Sequence, residues 1–144
     1  MRTPEDPRAL AGDLRGAVVR LARRLRREQP EYAELSISHL SALASLDKVG
    51  SLSPGELASV ERVQPPSMTR IVARLVEVGL VQRTPHPSDG RQAVLALTDA
   101  GSALVTENRR AREAWLARRV AELTPTERAT LRDASALLDR MAAS

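Results

Sequence analysis

The order of start and stop signals between Ser53 and Gly101 leaves this chain few folds to choose from. Ser53-Pro54-Gly55-Glu56 has the form of a capping box. The Ser hydroxyl accepts from the N–H of Glu56, the Glu carboxylate reaches back, and Pro54 takes the first helical position, where no donor is needed. Leu57, Ala58 and Val60 then supply a core-facing side, and Glu61 to Gln64 make a turn. Pro65-Pro66 is tolerable only in a first helical turn, so it sets the start of the next helix, which runs to Glu77 before Gly79 ends it. Leu80 to Thr84 and Ala93 to Leu97 read as short strands. Pro85 to Gln92 holds two prolines, an aspartate and a glycine, the chemistry of a loop. Thr98 is placed to cap a further helix.

Helix, tight turn, helix and basic-tipped hairpin is the order of parts in a winged helix-turn-helix. That arrangement lays one helix in the DNA major groove and a hairpin against the minor groove. The flanking sequence predicts more helix. Residues from about Arg8 to Gln29 carry Leu10, Leu14, Ala17, Val18, Leu21 and Leu25 at helical spacing, with Pro30 as the stop, and the first seven residues read as a flexible tail. Ile37 to Val49 forms a second helix with a stripe of Ile37, Leu40, Leu43, Leu46 and Val49, capped by Ser36 or Ser38 and closed by Gly50. A long helix runs from Thr98 to about Ala121. Thr124-Pro125-Thr126-Glu127, a second capping box, opens the last one to about residue 142. The expected fold is mainly α with a small β-hairpin wing.

Composition narrows the chemistry. There is no cysteine, which excludes disulfides and thiol redox sensing. Phe is absent, and Tyr32 and Trp115 are the only aromatics, so the core is aliphatic. All but one of the 22 basic residues are Arg, and the formal net charge is +4. Guanidinium forks suit phosphate and guanine edges, although a genome rich in G and C yields the same bias. No apolar run reaches the ~20 residues of a membrane span and no signal-peptide core opens the chain, so a cytoplasmic protein is expected. His39 and His86 lie in different elements without a carboxylate cluster, and no phosphate loop or catalytic triad is visible. Neither a metal site, a cofactor nor an enzyme activity is expected.

The candidate site follows from the helix at 65–77. Met68, Ile71, Val72, Leu75 and Val76 face inward at helical spacing. Pro66, Ser67, Arg70, Ala73, Arg74 and Glu77 then lie outward. Arg70 is the expected base contact, with guanine as its natural partner, where a bidentate pair contributes ~1–3 kcal/mol of discrimination. Ser67 and Thr69 suit phosphate or water-mediated contacts. Gln64 reaches a base edge or caps the helix. Arg74 either binds phosphate or pairs with Glu77. On the hairpin, Arg83, His86 and Arg91 are DNA candidates, with Arg91 suited to a narrow minor groove and Asp89 expected to pair with it and hold its direction.

These residues resemble the MarR family of transcriptional regulators. The resemblance lies in Met68-Thr69-Arg70-Ile71-Val72-Ala73-Arg74-Leu75-Val76-Glu77-Val78-Gly79-Leu80-Val81, Asp89-Gly90-Arg91 and Leu97-Thr98-Asp99-Ala100-Gly101. It implies a homodimer whose N- and C-terminal helices, here about 8–29 and 98–142, form a dimerisation region around a winged helix at about 37–97. It also implies a double-stranded, pseudo-palindromic DNA operator, repression, and release by a small-molecule effector. Pro65-Pro66 departs from the family pattern, and the lack of cysteine removes the family's thiol switches. Two other readings remain at this point: a regulator without a ligand, and a winged-helix protein-interaction module. Arg70, Arg74 and Arg91 on one expected face count against the module.

Overall fold

The structure is a computed structural model that describes residues 6–28 and 34–144. The elements are α1 (Pro7–Arg26), α2 (Ile37–Val49), β1 (Ser51–Leu52), α3 (Pro54–Glu61), α4 (Pro65–Glu77), β2 (Val81–Pro85), β3 (Ala93–Leu97), α5 (Asp99–Ala121) and α6 (Pro125–Ala142). The chain is thus mainly helical with one small antiparallel sheet of order β1-β3-β2. It divides into two compact units, residues 29–110 and residues 1–28 with 111–144.

In the first unit, local signals decide the elements. The Ser53 hydroxyl accepts from Glu56 N at 3.1 Å, and the Glu56 carboxylate accepts from Ser53 N at 3.3 Å, completing the expected box. Such a cap contributes about 1 kcal/mol. Ser36, not Ser38, caps α2, and its partner is a histidine: His39 Nδ1 accepts from Ser36 N at 3.1 Å. α2, α3, α4 and the sheet close on Leu43, Leu46, Leu57, Met68, Leu75, Leu80 and Leu95, each fully buried. Ile37, Val49, Val60 and Val76, expected to point inward, are exposed. Ile37 and Val49 lie at the two ends of α2, where the stripe runs off the core, and α3 is one short helix that buries only Leu57 and Ala58.

The hairpin pairs Val81 with Leu97 through to Pro85 with Ala93, one residue later at both ends of β2 than its composition suggests. β1 is an addition. Ser51 and Leu52 pair with Ala96 and Leu95, a two-residue strand too short to show alternation.

The hairpin's return into α5 is held by one dense junction. Thr98 N donates to Leu80 O at 3.1 Å, the Thr98 hydroxyl donates to Gly79 O at 2.6 Å, and Gly101 N donates to Thr98 Oγ1 at 3.1 Å. A Cβ on Gly101 would lie 2.1 Å from Leu80 O, so only glycine fits. This explains the Leu-Thr-x-x-Gly pattern physically. The threonine ties the end of α4 to the start of α5, and the glycine lets the two backbones approach.

The second unit is differently made. α1 begins at Pro7, one residue before the expected start, because the Asp6 carboxylate accepts from Arg8 N at 3.0 Å. The predicted stop at Gln29-Pro30, Tyr32 and most of the predicted tail lie outside the described residues. α6 opens with the expected second capping box, with Glu127 N donating to Thr124 Oγ1 at 3.2 Å. Neither α1 nor α6 buries a single residue, and Leu10, Val18, Val19, Leu21, Leu131, Leu137 and Met141 stand exposed. Trp115 is half-buried, with the Arg24 guanidinium 4.4 Å and that of Arg119 5.7 Å from its ring centre.

Candidate nucleic-acid interface

α4 is anchored by Met68, Ile71, Val72 and Leu75, all buried, and the positions between them face out as its periodicity demands. Pro66, Ser67, Thr69 and Arg70 are exposed near its N-terminus. Arg70 has no carboxylate partner among the described residues, so its five donors remain available. The Thr69 hydroxyl donates to Pro65 O at 3.0 Å, which leaves its oxygen lone pairs outward. Gln64 is the N-cap residue but makes no capping bond, so of the two roles expected for it, the cap is not formed.

Arg74 is the residue whose environment the sequence under-describes. Its guanidinium meets Glu77 at 3.0 Å, the expected i,i+3 pair, and also Glu34 at 3.2 Å. Glu34 lies forty positions earlier, and spacing rules carry no information at that distance. The same cation acts on His39, whose imidazole is held below its ordinary pKa first by burial and then by the Arg74 charge.

On the hairpin, Arg83 and Arg91 line one open cleft of about 350 Å³ with Thr84, Pro85, Gly90, Gln92 and Ala93. Neither arginine has a carboxylate partner among the described residues. Asp89 corrects an expectation. Its carboxylate accepts from the backbone N of Arg91 at 3.1 Å and forms no ion pair with the Arg91 guanidinium. Asp89 therefore shapes the tip by an Asx-type turn while the guanidinium stays outward. His86 is a second turn-former: its Nδ1 accepts from Ser88 N at 3.2 Å, and His86 N donates to Gln92 O at 2.8 Å. No group of three His, Asp or Glu side chains able to hold a metal lies among the described residues.

An exposed helix with an unpartnered arginine, followed by a hairpin with two more, defines the class: a winged helix-turn-helix. Comparison with known proteins bears this out. The model of the MarR family matches residues 35–93. An HTH-type transcriptional regulator of Mycobacterium bovis is 50% identical over 129 residues, covering 90% of each chain. The HTH-type transcriptional repressor MdtR of Bacillus subtilis is 36% identical over 105 residues, 69% of this chain and 68% of that one. The crystal structure of a transcriptional regulator protein from Pseudomonas aeruginosa superposes with a TM-score of 0.85 at 35% identity, covering 99% of both chains. The chain belongs to the MarR family and is a DNA-binding transcriptional regulator.

Two features of the interface carry no signal of the kind that spacing or periodicity supplies. Glu34 holds Arg74 from outside the helix-turn-helix. Arg62 occupies the turn before α4 in a left-handed conformation, with φ 53°. Glu61 has a structural part: its carboxylate accepts from the Ser41 hydroxyl at 2.6 Å and from the Ser45 hydroxyl, clipping α2 to α3.

Proposed function

We propose that the protein is a homodimeric repressor that works in the cytoplasm and binds a pseudo-palindromic double-stranded DNA operator. Arg70 reads a base edge from α4. Ser67 and Thr69 contact phosphate or ordered water, with Gln64 and Pro66 at the helix entry. Arg83, His86 and Arg91 engage the backbone and minor groove from the wing, and Asp89 sets the direction of the tip. Arg74 contributes as a bridge that stiffens α4 against Glu34 while remaining within reach of a phosphate. A small-molecule effector lowers the affinity and releases the operator.

The observation that carries the reading is the contrast among arginines. Arg74 is bound to carboxylates, whereas Arg70 on α4, Arg83 on β2 and Arg91 in the hairpin turn have none among the described residues. The dimer is supported by the apolar residues that α1 and α6 leave exposed, since such a stripe normally packs against another helix. The Bacillus subtilis relative MdtR is a transcriptional repressor, which supports repression here. Two-fold symmetry predicts half-sites about one helical turn apart.

The test is binding of the purified protein to DNA from upstream of its own gene, against scrambled DNA, across a salt series. A protected palindrome with sequence-dependent affinity is expected. Equal affinity and equal salt slope on both DNAs would refute specific recognition of that region. A thermal-shift screen tests the effector: a compound that stabilises the protein and weakens its DNA complex is expected, and a ligand-independent regulator would yield none.

A further inference from the structure

Among the described residues, three helix ends turn through positive φ. Gly50 and Gly79 serve two of them, at 98° and 78°, and Arg62 serves the third. The ends of α3 and α4 are built alike. Val63 N donates to Ala58 O at 2.9 Å and Arg62 N to Ser59 O at 3.2 Å. Leu80 N donates to Leu75 O at 3.0 Å and Gly79 N to Val76 O at 3.1 Å. Both are Schellman closures, and the left-handed residue sits at the same position in each. Glycine meets that requirement without a steric penalty after α4. After α3 the same requirement falls on an arginine, whose Cβ crowds the following carbonyl. Backbone geometry therefore disfavours the residue that is present.

No side-chain hydrogen bond or ion pair of Arg62 among the described residues offsets the strain. Arg62 has no ion-pair partner there and stands exposed. Its position supplies a reason. A helix N-terminus ordinarily offers phosphate the N–H groups of its first turn. In α4 the first two helical residues are Pro65 and Pro66, which have no N–H, and Gln64 makes no capping bond. The entry to the recognition helix thus loses two backbone donors and keeps Ser67 N–H, and a guanidinium two residues before Gln64 adds charged donors suited to phosphate.

We propose that Arg62 is a DNA phosphate contact that anchors the entry of α4, retained at a glycine-favouring position for its charge. This rests on α4 being the DNA-reading helix. It adds a binding residue to that interface and makes the strained turn part of it.

The decisive experiment compares wild type, Arg62→Gly, Arg62→Lys and Arg70→Ala. Each is melted, then titrated with a mixed-sequence duplex of about 30 base pairs over a salt series, where phosphate contacts dominate. Arg62→Gly is expected to melt at or above the wild-type temperature, since strain is relieved, yet to bind several-fold more weakly. The magnitude of its log–log salt slope should fall by about 0.9 for each chain in contact. Arg62→Lys is expected to stay near wild-type affinity. Wild-type affinity and slope for Arg62→Gly, beside a weakened Arg70→Ala, would overturn the role of Arg62 and leave the DNA-reading helix standing. A melting temperature for Arg62→Gly below wild type would overturn the strain argument, and an equal loss in Arg62→Lys would overturn the charge argument. Absence of duplex binding by wild type even at low salt would overturn the DNA-reading interface itself.

Discussion

Gly101→Ala tests the junction that sets the base of the wing. An alanine Cβ there would lie 2.1 Å from Leu80 O, 3.1 Å from Leu80 C and 3.3 Å from Leu97 Cδ2. The closest of these atoms is backbone, so no rotamer change relieves it, and the strand or the helix must move by roughly 1 Å or more to restore an ordinary contact. Overpacking of this kind costs about 1–3 kcal/mol, and the backbone character of the obstacle places it at the upper end. The displaced Leu80 carbonyl also accepts from Thr98 N, and losing that bond adds about 1 kcal/mol. Against this, Ala is favoured over Gly in a helix by up to about 1 kcal/mol. The net expectation is a loss of about 3 kcal/mol. For a chain of this size that lowers the melting temperature by roughly 6–12 °C. Urea and thermal unfolding followed by circular dichroism measure it. Gly12→Ala is the internal control: nothing lies within 4 Å of its Cβ, so a gain of about 0.5–1 kcal/mol is expected. If Gly101→Ala unfolds within about 0.5 kcal/mol of wild type, a range usual for surface changes, the close approach is not what selects glycine there.

Arg91→Ala should weaken DNA binding broadly, whereas Arg70→Ala should also relax base preference by about 1–3 kcal/mol at one position of each half-site; unchanged selection from a random-sequence library would contradict the role of Arg70. Glu34→Gln combined with Glu77→Gln should release Arg74 and tighten duplex binding a few-fold at low salt, and fluorescence anisotropy showing no gain would mean that Arg74 contributes only through its bridges. The His39 imidazole is held below its ordinary value by burial and Arg74. As pH falls below about 6.5 the unfolded chain takes up this proton before the folded one, so stability should decline until the folded group also titrates. His39→Gln should flatten that decline in melting curves taken between about pH 5 and 7.5, and an identical slope would assign the loss to other groups.

How much of the fold and the interface is legible in the sequence differs by element, and the reason is range. The limits of α2 and α4 and two capping boxes follow from contacts no longer than four or five residues, which local sequence encodes directly, whereas β2, paired with β3 across 8 to 16 residues, is displaced by one residue from its compositional run. The outward placement of Ser67, Arg70 and Arg91 is legible for the same reason, since helical periodicity and turn chemistry set each direction. The inward assignments of Val60 and Val76 fail because periodicity specifies a direction around a helix axis but not where the neighbouring elements stop. The expected Asp89–Arg91 ion pair fails at the atomic level: an aspartate two residues before an arginine reaches its backbone N–H more readily than its guanidinium.

Local sequence is sufficient for the order of helices, turn and hairpin, the aliphatic core and the face of α4 that stays polar. Proline, glycine and capping residues act on their own backbone neighbourhood, and apolar spacing acts along one element. Packing in three dimensions is what brings Glu34 to Arg74, joins β1 to the sheet, clips Glu61 to two serines of α2 and presses Leu80 on Gly101. Each of these joins groups far apart in sequence, so its existence depends on how packed elements converge. The left-handed turn at Arg62 lies between the two cases. Its need for positive φ arises from the helix closure, and the structure is what shows an arginine bearing it.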